Sequence, residues 1–225
     1  MPTAAQPLTL TLADGSTVSA LLQVPAGAIA CYVLAHGAGA GMAHPFMAAV
    51  AAGLAARGIA TLRYQFPYME RGSKRPDTPA VAHAAVRAAV DEAARQCPGL
   101  PLVAGGKSFG GRMTSQAQAA EPLPGVRGLV FLGFPLHPAG KPAQERAAHL
   151  AQVGCPMLFL QGTRDELADF ALITEVARAL GPRATPEPIA EADHSFHVLA
   201  RSGRKDAEVL EGLLDSVAAW VRRLA

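Results

Sequence analysis

Short apolar runs alternate with segments of helical spacing along most of this chain. The runs lie at residues 30–35, 59–64, 101–104, 127–134 and 156–161. They are apolar at most positions instead of at every second one, which is typical of strands buried on both faces of a parallel sheet. Parallel strands need crossover connections, and the helical segments between the runs can supply them. The order of elements therefore predicts an α/β fold with a mostly parallel, doubly wound sheet.

The two ends of the chain add to this prediction. Residues 8–12 alternate with period two, Asp14-Gly15 is a turn dipeptide, and residues 18–24 resume an extended pattern. These features predict an N-terminal antiparallel hairpin at one edge of the sheet. Residues 205–224 carry apolar side chains at i, i+3 and i+4 spacing, which predicts a helix that packs on the sheet.

Length and charge narrow the class of protein. A chain of 225 residues is expected to form one domain over residues 1–225, at roughly 100–200 residues per domain. The 20 Lys and Arg and 18 Asp and Glu are scattered, so nucleic-acid binding is not indicated. No apolar run approaches the ~20 residues that span a bilayer and no signal-peptide pattern is present, so no membrane contact and a cytoplasmic location are expected. The spacing of cysteines and histidines suggests no disulfide framework and no metal site.

One glycine-rich segment carries the strongest catalytic pattern. Gly106-Lys107-Ser108-Phe109-Gly110 follows the apolar run at 101–104 and precedes a helix-compatible segment at 111–120. This G-x-S-x-G pattern between a strand and a helix is typical of a nucleophile elbow. The glycines have a steric reason, because the sharp turn that projects the serine out of the sheet leaves no room for side chains two residues to either side. Ser108 is therefore the candidate nucleophile.

A serine nucleophile needs a base, and the base needs an acid to orient it. In elbow-type enzymes these follow the serine in the order acid, then histidine. Asp165 lies just after the run at 156–161, and His194 follows a further strand-like stretch. Both positions fall at the expected carboxyl ends of strands, where a doubly wound sheet binds its ligands. Asp165 and His194 are the candidate acid and base, with His197 as the alternative base.

The negative oxygen of a tetrahedral intermediate needs two hydrogen-bond donors. One is the backbone amide of the residue after the nucleophile, here Phe109, and the other comes from the loop after the third strand. That loop is rich in small residues, His36-Gly37-Ala38-Gly39-Ala40-Gly41, which let backbone N–H groups face the site. Ala38 is the predicted second donor and Gly39 the alternative. His36 is expected to shape this loop through side-chain hydrogen bonds instead of acting as a base.

Lys107 raises a competing interpretation, because Gly-Lys-Ser between a strand and a helix also occurs in phosphate-binding P-loops. A P-loop needs a glycine five residues before Gly106, and that position is Pro101. The spacing therefore excludes the P-loop. Lys107 is then the variable residue of the elbow, which we expect to face solvent or to pair with a carboxylate.

Several segments together resemble a known family. These segments are residues 36–41, Phe66-Pro67-Tyr68-Met69-Glu70, residues 105–112, Gly133-Phe134-Pro135-Leu136-His137-Pro138 and Asp193-His194-Ser195-Phe196. Through them the chain is similar to the small, lidless α/β-hydrolases related to dienelactone hydrolases, and most similar to a bacterial subfamily that resembles a subunit of a histone-acetyltransferase complex. The similarity covers nearly the whole chain.

The resemblance implies an α/β-hydrolase fold with Ser108 as nucleophile, Asp165 as acid and His194 as base. One departure is Glu166, a second carboxylate beside Asp165, which leaves Glu166 and Asp169 open as alternative acids. The usual place for a lid holds only residues 135–154, room for one short helix, so an open pocket without a lid domain is expected.

The predicted function is that of a serine hydrolase, which forms an acyl-enzyme from a small-molecule ester or thioester without a cofactor. The alternative is a non-catalytic interaction module that keeps the fold, since fold alone does not settle activity. A third reading, cofactor-free peroxidation or dehalogenation with the same triad, is weakened for dehalogenation by serine at the elbow. The physiological substrate and any protein partner are not readable from the sequence.

Overall fold

The computed structural model describes residues 4–224 and contains an eight-stranded sheet. The strands are β1 Gln6–Thr11, β2 Thr17–Gln23, β3 Ala30–Ala35, β4 Ile59–Tyr64, β5 Leu102–Lys107, β6 Val126–Leu132, β7 Met157–Gly162 and β8 Ala184–Ile189. The strand order is β1-β2-β4-β3-β5-β6-β7-β8, with β1–β2 and β2–β4 antiparallel and every later pair parallel. The mostly parallel sheet and the N-terminal hairpin are thus confirmed.

Helices cover both faces of this sheet, as a doubly wound fold requires. The α-helices are α1 Pro45–Ala56, α2 Pro67–Glu70, α3 Pro79–Gln96, α4 Phe109–Ala120, α5 Phe170–Leu180 and α6 Asp206–Arg222. Helices α3, α4 and α5 bury their apolar sides in the core on one face, and α1 and α6 do so on the other. Short 3-10 helices occur at Glu145–Gln152, Gly181–Arg183 and Ala200–Ser202.

The connection between β6 and β7, where a lid would lie, contains only the 3-10 helix Glu145–Gln152. The expectation of a fold without a lid domain is therefore confirmed. Among residues 4–224, no helix is both long enough and apolar enough to cross a membrane.

Strand β5 is longer than the sequence indicated. It continues past the run at 101–104 through two glycines to Lys107, because Gly105 and Gly106 take φ angles of 138° and 147° that L side chains rarely adopt. A Cβ atom on Gly106 would lie 2.1 Å from the carbonyl oxygen of Ala35 on β3. These two glycines therefore allow β5 to continue up to the elbow while it lies close to the backbones of β3 and β6.

Strand β8 differs in composition from the other parallel strands. It contains Pro186 and Pro188, and it lies at the edge of the sheet beyond β7. Proline cannot donate to a strand ladder, so it is tolerated at an edge where one side has no partner. This explains why a strand without a continuous apolar run leads to His194.

Two glycine-to-alanine substitutions are expected to act with opposite signs. Gly106→Ala forces a Cβ against Ala35 and should destabilise by more than the ~1 kcal/mol typical of point mutants. Gly212→Ala is the matched control, because Gly212 lies in the exposed middle of α6 with nothing within 4 Å of its Cβ position. It should stabilise by ~0.5–1 kcal/mol, since glycine in a helix interior loses more conformational freedom than alanine.

Denaturant unfolding of both variants measures these effects through the shift of the midpoint at constant slope. An unchanged midpoint for Gly106→Ala would contradict the close approach of β3 and β5 at the elbow.

Candidate active site

Ser108 lies on the turn between β5 and α4, where the backbone is forced into an unusual conformation. Its φ and ψ are 49° and −116°, a region that costs a non-glycine residue of the order of 1–3 kcal/mol. A Cβ on Gly110 would lie 2.6 Å from the carbonyl oxygen of His36, which, like the 2.1 Å approach at Gly106, is too close for a side chain. The steric reason given for the elbow glycines is therefore confirmed, and the turn projects the serine from the carboxyl end of the sheet.

Three side chains from different strand ends form one chain of hydrogen bonds at this turn. His194 Nε2 lies 2.8 Å from Ser108 Oγ, and His194 Nδ1 lies 2.7 Å from Asp165 Oδ2. An ionised carboxylate can only accept, so Nδ1 carries the proton and Nε2 presents its lone pair to the serine hydroxyl. The geometry can therefore move a proton from Ser108 to His194.

Asp165 is held rigidly behind the imidazole. Its side chain is fully buried, its Oδ1 accepts from the Leu167 amide at 2.8 Å, and its Oδ2 also accepts from the Gln161 amide group. Gln161 is itself oriented, because its Oε1 accepts from the Phe134 amide at 2.9 Å. Sequence reasoning missed Gln161; the available signal was a polar residue inside the apolar run of β7.

The alternative acids form no hydrogen bond with His194, and the alternative base is engaged elsewhere. Glu166 is exposed, and Asp169 caps α5 by accepting from the amides of Ala171 and Leu172. His197 Nδ1 lies 2.8 Å from Asp206 Oδ2 on the surface, and this bond raises the pKa of His197. Among the described residues, Asp165 is thus the carboxylate that contacts the imidazole beside Ser108.

The predicted donor loop lies against the elbow, and its amides are not equivalent. The Gly39 amide donates to the Tyr68 hydroxyl at 3.0 Å, so the alternative donor is already engaged. The amides of Ala38 and Phe109 donate to no other group within residues 4–224. Phe109 is the first residue of α4, and its ring packs edge-on against Phe66 at 5.3 Å. These two amides are available for a ligand.

His36 holds the donor loop, as expected. It is fully buried, with Nδ1 2.7 Å from the Gly37 carbonyl oxygen and Nε2 accepting from the Phe66 amide at 3.1 Å. Burial lowers the pKa of His36, which keeps the ring neutral so that one nitrogen donates and the other accepts. Both ring nitrogens are therefore used in shaping the loop.

The expectation for Lys107 was wrong. The side chain is half-buried and forms no ion pair among the described residues; its ammonium instead donates to the backbone carbonyl oxygen of His194 at 2.6 Å. Burial lowers the pKa of Lys107 to about 8. The Lys107 side chain thus points towards the turn that carries His194 and not into solvent. No local sequence pattern indicates this direction.

A cavity of about 400 Å³ opens beside Ser108 and is mostly apolar. His44 lines this cavity and also caps α1, where its side chain accepts from the Phe46 amide. Within residues 4–224 no group of three or more His, Cys, Asp or Glu side chains is placed to hold a metal ion. The wall of the cavity beside Ser108 also includes Ala38, Ala40, Phe46, Met47, Leu167 and Ser195.

The sheet order, the elbow at the end of β5 and the loop that faces it together define an α/β-hydrolase fold. The chain belongs to the α/β-hydrolase domain family, whose sequence profile matches residues 28–222.

Solved structures share this fold at low sequence identity. A lidless α/β serine hydrolase from Xanthomonas campestris is 23% identical, with a TM-score of 0.75 over 98% of this chain and 96% of its own. Dienelactone hydrolase from Anabaena variabilis is 19% identical, with a TM-score of 0.82 over 100% and 99% of the two chains. A cold-adapted esterase from an Arctic intertidal metagenomic library is 20% identical, with a TM-score of 0.71 over 100% and 96%.

Proposed function

We propose that this protein is a serine hydrolase that cleaves a carboxylic ester or thioester through an acyl-enzyme, with Ser108, His194 and Asp165 as its catalytic triad. The observation that carries the proposal is the hydrogen-bond chain from Ser108 Oγ through His194 to Asp165, with distances of 2.8 and 2.7 Å. This series of hydrogen bonds supplies a nucleophile, a base with its lone pair towards the nucleophile, and a buried carboxylate that stabilises the imidazolium.

In the first half of the reaction, Ser108 Oγ attacks the carbonyl carbon while His194 Nε2 takes the hydroxyl proton. The carbonyl oxygen becomes negative, and the free amides of Ala38 and Phe109 are the donors proposed to stabilise it. When the tetrahedral intermediate collapses, the bond to the leaving oxygen or sulfur breaks and His194 gives that atom its proton. An acyl group then remains on Ser108.

In the second half, water takes the place of the departed alcohol or thiol. His194 accepts a proton from the water, whose oxygen attacks the acyl carbon, and the proton returns to Ser108 Oγ as the carboxylic acid leaves. This scheme requires no cofactor. The open, mostly apolar cavity of about 400 Å³ favours small or flexible acyl groups over buried long chains.

The resemblance to the bacterial subfamily related to a histone-acetyltransferase-complex subunit is also part of the proposal. It is supported by Gly106-Lys107-Ser108 in the elbow and by Phe66-Pro67-Tyr68-Met69 in α2 and the residue before it. Single-domain organisation over residues 1–225 and a cytoplasmic location belong to the same proposal.

A fluorophosphonate probe tests the function without assuming a substrate. An activated serine should displace fluoride from the probe, and intact mass with peptide mapping should locate a single adduct on Ser108. The control is the same protein after denaturation, in which the hydrogen-bond chain is absent and labelling should disappear.

No adduct on well-folded protein would overturn the hydrolase proposal and favour the non-catalytic interaction module. An adduct on another serine would place the nucleophile elsewhere.

A further inference from the structure

The imidazole of His194 is carried by a strained turn. Phe196 has a φ of 63°, an uncommon conformation for a residue with a bulky side chain. The Asp193 carboxylate organises the outer side of the turn, because its Oδ1 accepts from the amides of Ser195 at 2.8 Å and His197 at 3.0 Å. The rotation of the turn sets where the His194 ring lies, so contacts that hold the turn also hold the ring.

The inner side of this turn is held by Lys107. The carbonyl oxygen of His194 accepts from Lys107 Nζ at 2.6 Å, and the ammonium lies 5.4 Å from the centre of the Phe196 ring. Phe196 is buried and stacks on Phe46 of α1 at 6.0 Å. Lys107, the residue before the proposed nucleophile, thus hydrogen-bonds the backbone of His194, the proposed base.

The surroundings of the ammonium are confined and mostly uncharged. A Cβ added to Gly133 would lie only 3.1 Å from Nζ, and the stem of Lys107 passes 3.4 Å from the Cβ position of Gly37. The charged and titratable groups that face it are Asp165 from the loop after β7, and Asp193 and His194 from the turn. His44 of the α1 cap lines the same cavity. None of these carboxylates forms an ion pair with Lys107.

We propose that Lys107 is a positioning residue of the hydrolase. By donating to the His194 carbonyl oxygen, its ammonium holds the imidazole in the position where its two ring nitrogens hydrogen-bond Asp165 and Ser108. This inference rests on the proposed function. A charge-assisted hydrogen bond is roughly twice as strong as a neutral one, so a neutral Lys107 amine holds the turn less firmly. Activity therefore depends on Lys107 remaining protonated.

The sign of the pH dependence follows from the local energetics. Burial disfavours the charged ammonium, while Asp165 and Asp193 favour it less strongly, and the pKa of Lys107 is about 8. Below this pH the ammonium is present and the turn is held. As the pH rises through about 8 the proton is lost and the reactivity of Ser108 should fall.

The test compares Lys107→Met with the unaltered protein, using the fluorophosphonate probe. Methionine keeps an unbranched apolar stem against the cavity wall, with sulfur in place of one methylene, and lacks the ammonium. The rate constant for labelling Ser108 should fall ~10- to 100-fold at neutral pH, since small displacements of a catalytic group have effects of this size. The loss should lie in the labelling step and not in probe affinity. Lys141→Met, an exposed lysine, is the matched control and should label normally.

Rescue distinguishes positioning from a general structural role. Lys107→Cys alkylated with bromoethylamine restores a side chain of lysine length with a less basic amine, and unaltered protein treated in parallel controls for Cys31, Cys97 and Cys155. The labelling rate should recover, with its alkaline fall moved to lower pH. Lys107→Met should show no fall near pH 8.

A second readout does not depend on reactivity. The Nδ1 proton of His194, hydrogen-bonded to Asp165, should give a low-field NMR signal that broadens in Lys107→Met and returns after alkylation of Lys107→Cys. A wild-type rate, an unchanged alkaline fall or a sharp imidazole signal in Lys107→Met would overturn the inference, as would a loss confined to probe affinity. Absence of labelling in the unaltered protein would instead overturn the proposed hydrolase, and the imidazole signal would then decide the role of Lys107 alone.

Discussion

Ser108→Ala is expected to lower kcat/KM for a small activated ester such as p-nitrophenyl acetate by ~10⁴- to 10⁶-fold, since triad members act as a unit. The variant removes the hydroxyl oxygen that is proposed to form the acyl bond and leaves His194 and Asp165 in place. Esterase assays with p-nitrophenyl acetate measure the loss, and circular dichroism verifies that the fold persists. Some activity over water should remain, because the variant keeps the unengaged amides of Ala38 and Phe109, which are the donors proposed for the negative oxygen.

Ser73→Ala is the matched control for this prediction. Ser73 lies in the loop after α2, outside the residues that line the cavity beside Ser108. Retention of most activity by Ser108→Ala, or an equal loss in Ser73→Ala, would show that hydrolysis does not pass through Ser108.

Asp165→Asn is expected to lower kcat by ~10⁴-fold while the protein stays folded. The Asp165 carboxylate accepts the Nδ1 proton of His194 and so keeps Nε2 free to take the serine proton. An asparagine amide can donate to Nδ1, which favours the tautomer with its proton on Nε2. That tautomer cannot deprotonate Ser108. Steady-state kinetics measures the loss of kcat, and denaturant unfolding of Asp165→Asn in parallel verifies that the variant is folded.

Glu166→Gln gives this second prediction its matched control. Glu166 is the neighbouring carboxylate, and its exposed side chain should be replaceable with activity unchanged. A loss in Glu166→Gln comparable to that in Asp165→Asn would move the acid to Glu166, and normal kinetics in Asp165→Asn would remove Asp165 from the mechanism.

Much of the fold was predictable because its signals are local. A strand buried on both faces needs an unbroken apolar run, and β3 and β4 have the same bounds in the structure as in the sequence prediction. Strand β8 carried no such run, since an edge strand is partly exposed and tolerates Pro186 and Pro188. The end of β5 was misplaced because glycines are read as a turn, whereas Gly105 and Gly106 here continue the strand.

The candidate site was also predictable in part from local signals and in part not. The elbow can be read from the sequence because the sharp turn at Ser108 excludes side chains at fixed offsets, so Gly106 and Gly110 record the geometry directly. The sequence favoured Asp165 as the acid but left Glu166 and Asp169 open, because three nearby carboxylates have the same chemistry. Their side-chain directions separate them: one is buried against His194, one is exposed and one caps α5.

By itself, then, the sequence determined the alternation of strands and helices and the glycine pattern of the elbow, because each depends on periodicity or on steric limits within a few residues. It also supplied Ser108, Asp165 and His194 as the proposed serine, acid and histidine in that order along the chain. Only the tertiary structure decided that Gln161 supports Asp165, that the Gly39 amide is engaged by Tyr68, and that Lys107 turns inward to hold the His194 carbonyl. These contacts join residues that lie far apart in the chain or on different loops, and their formation depends on which buried polar groups the folded packing brings within hydrogen-bond distance.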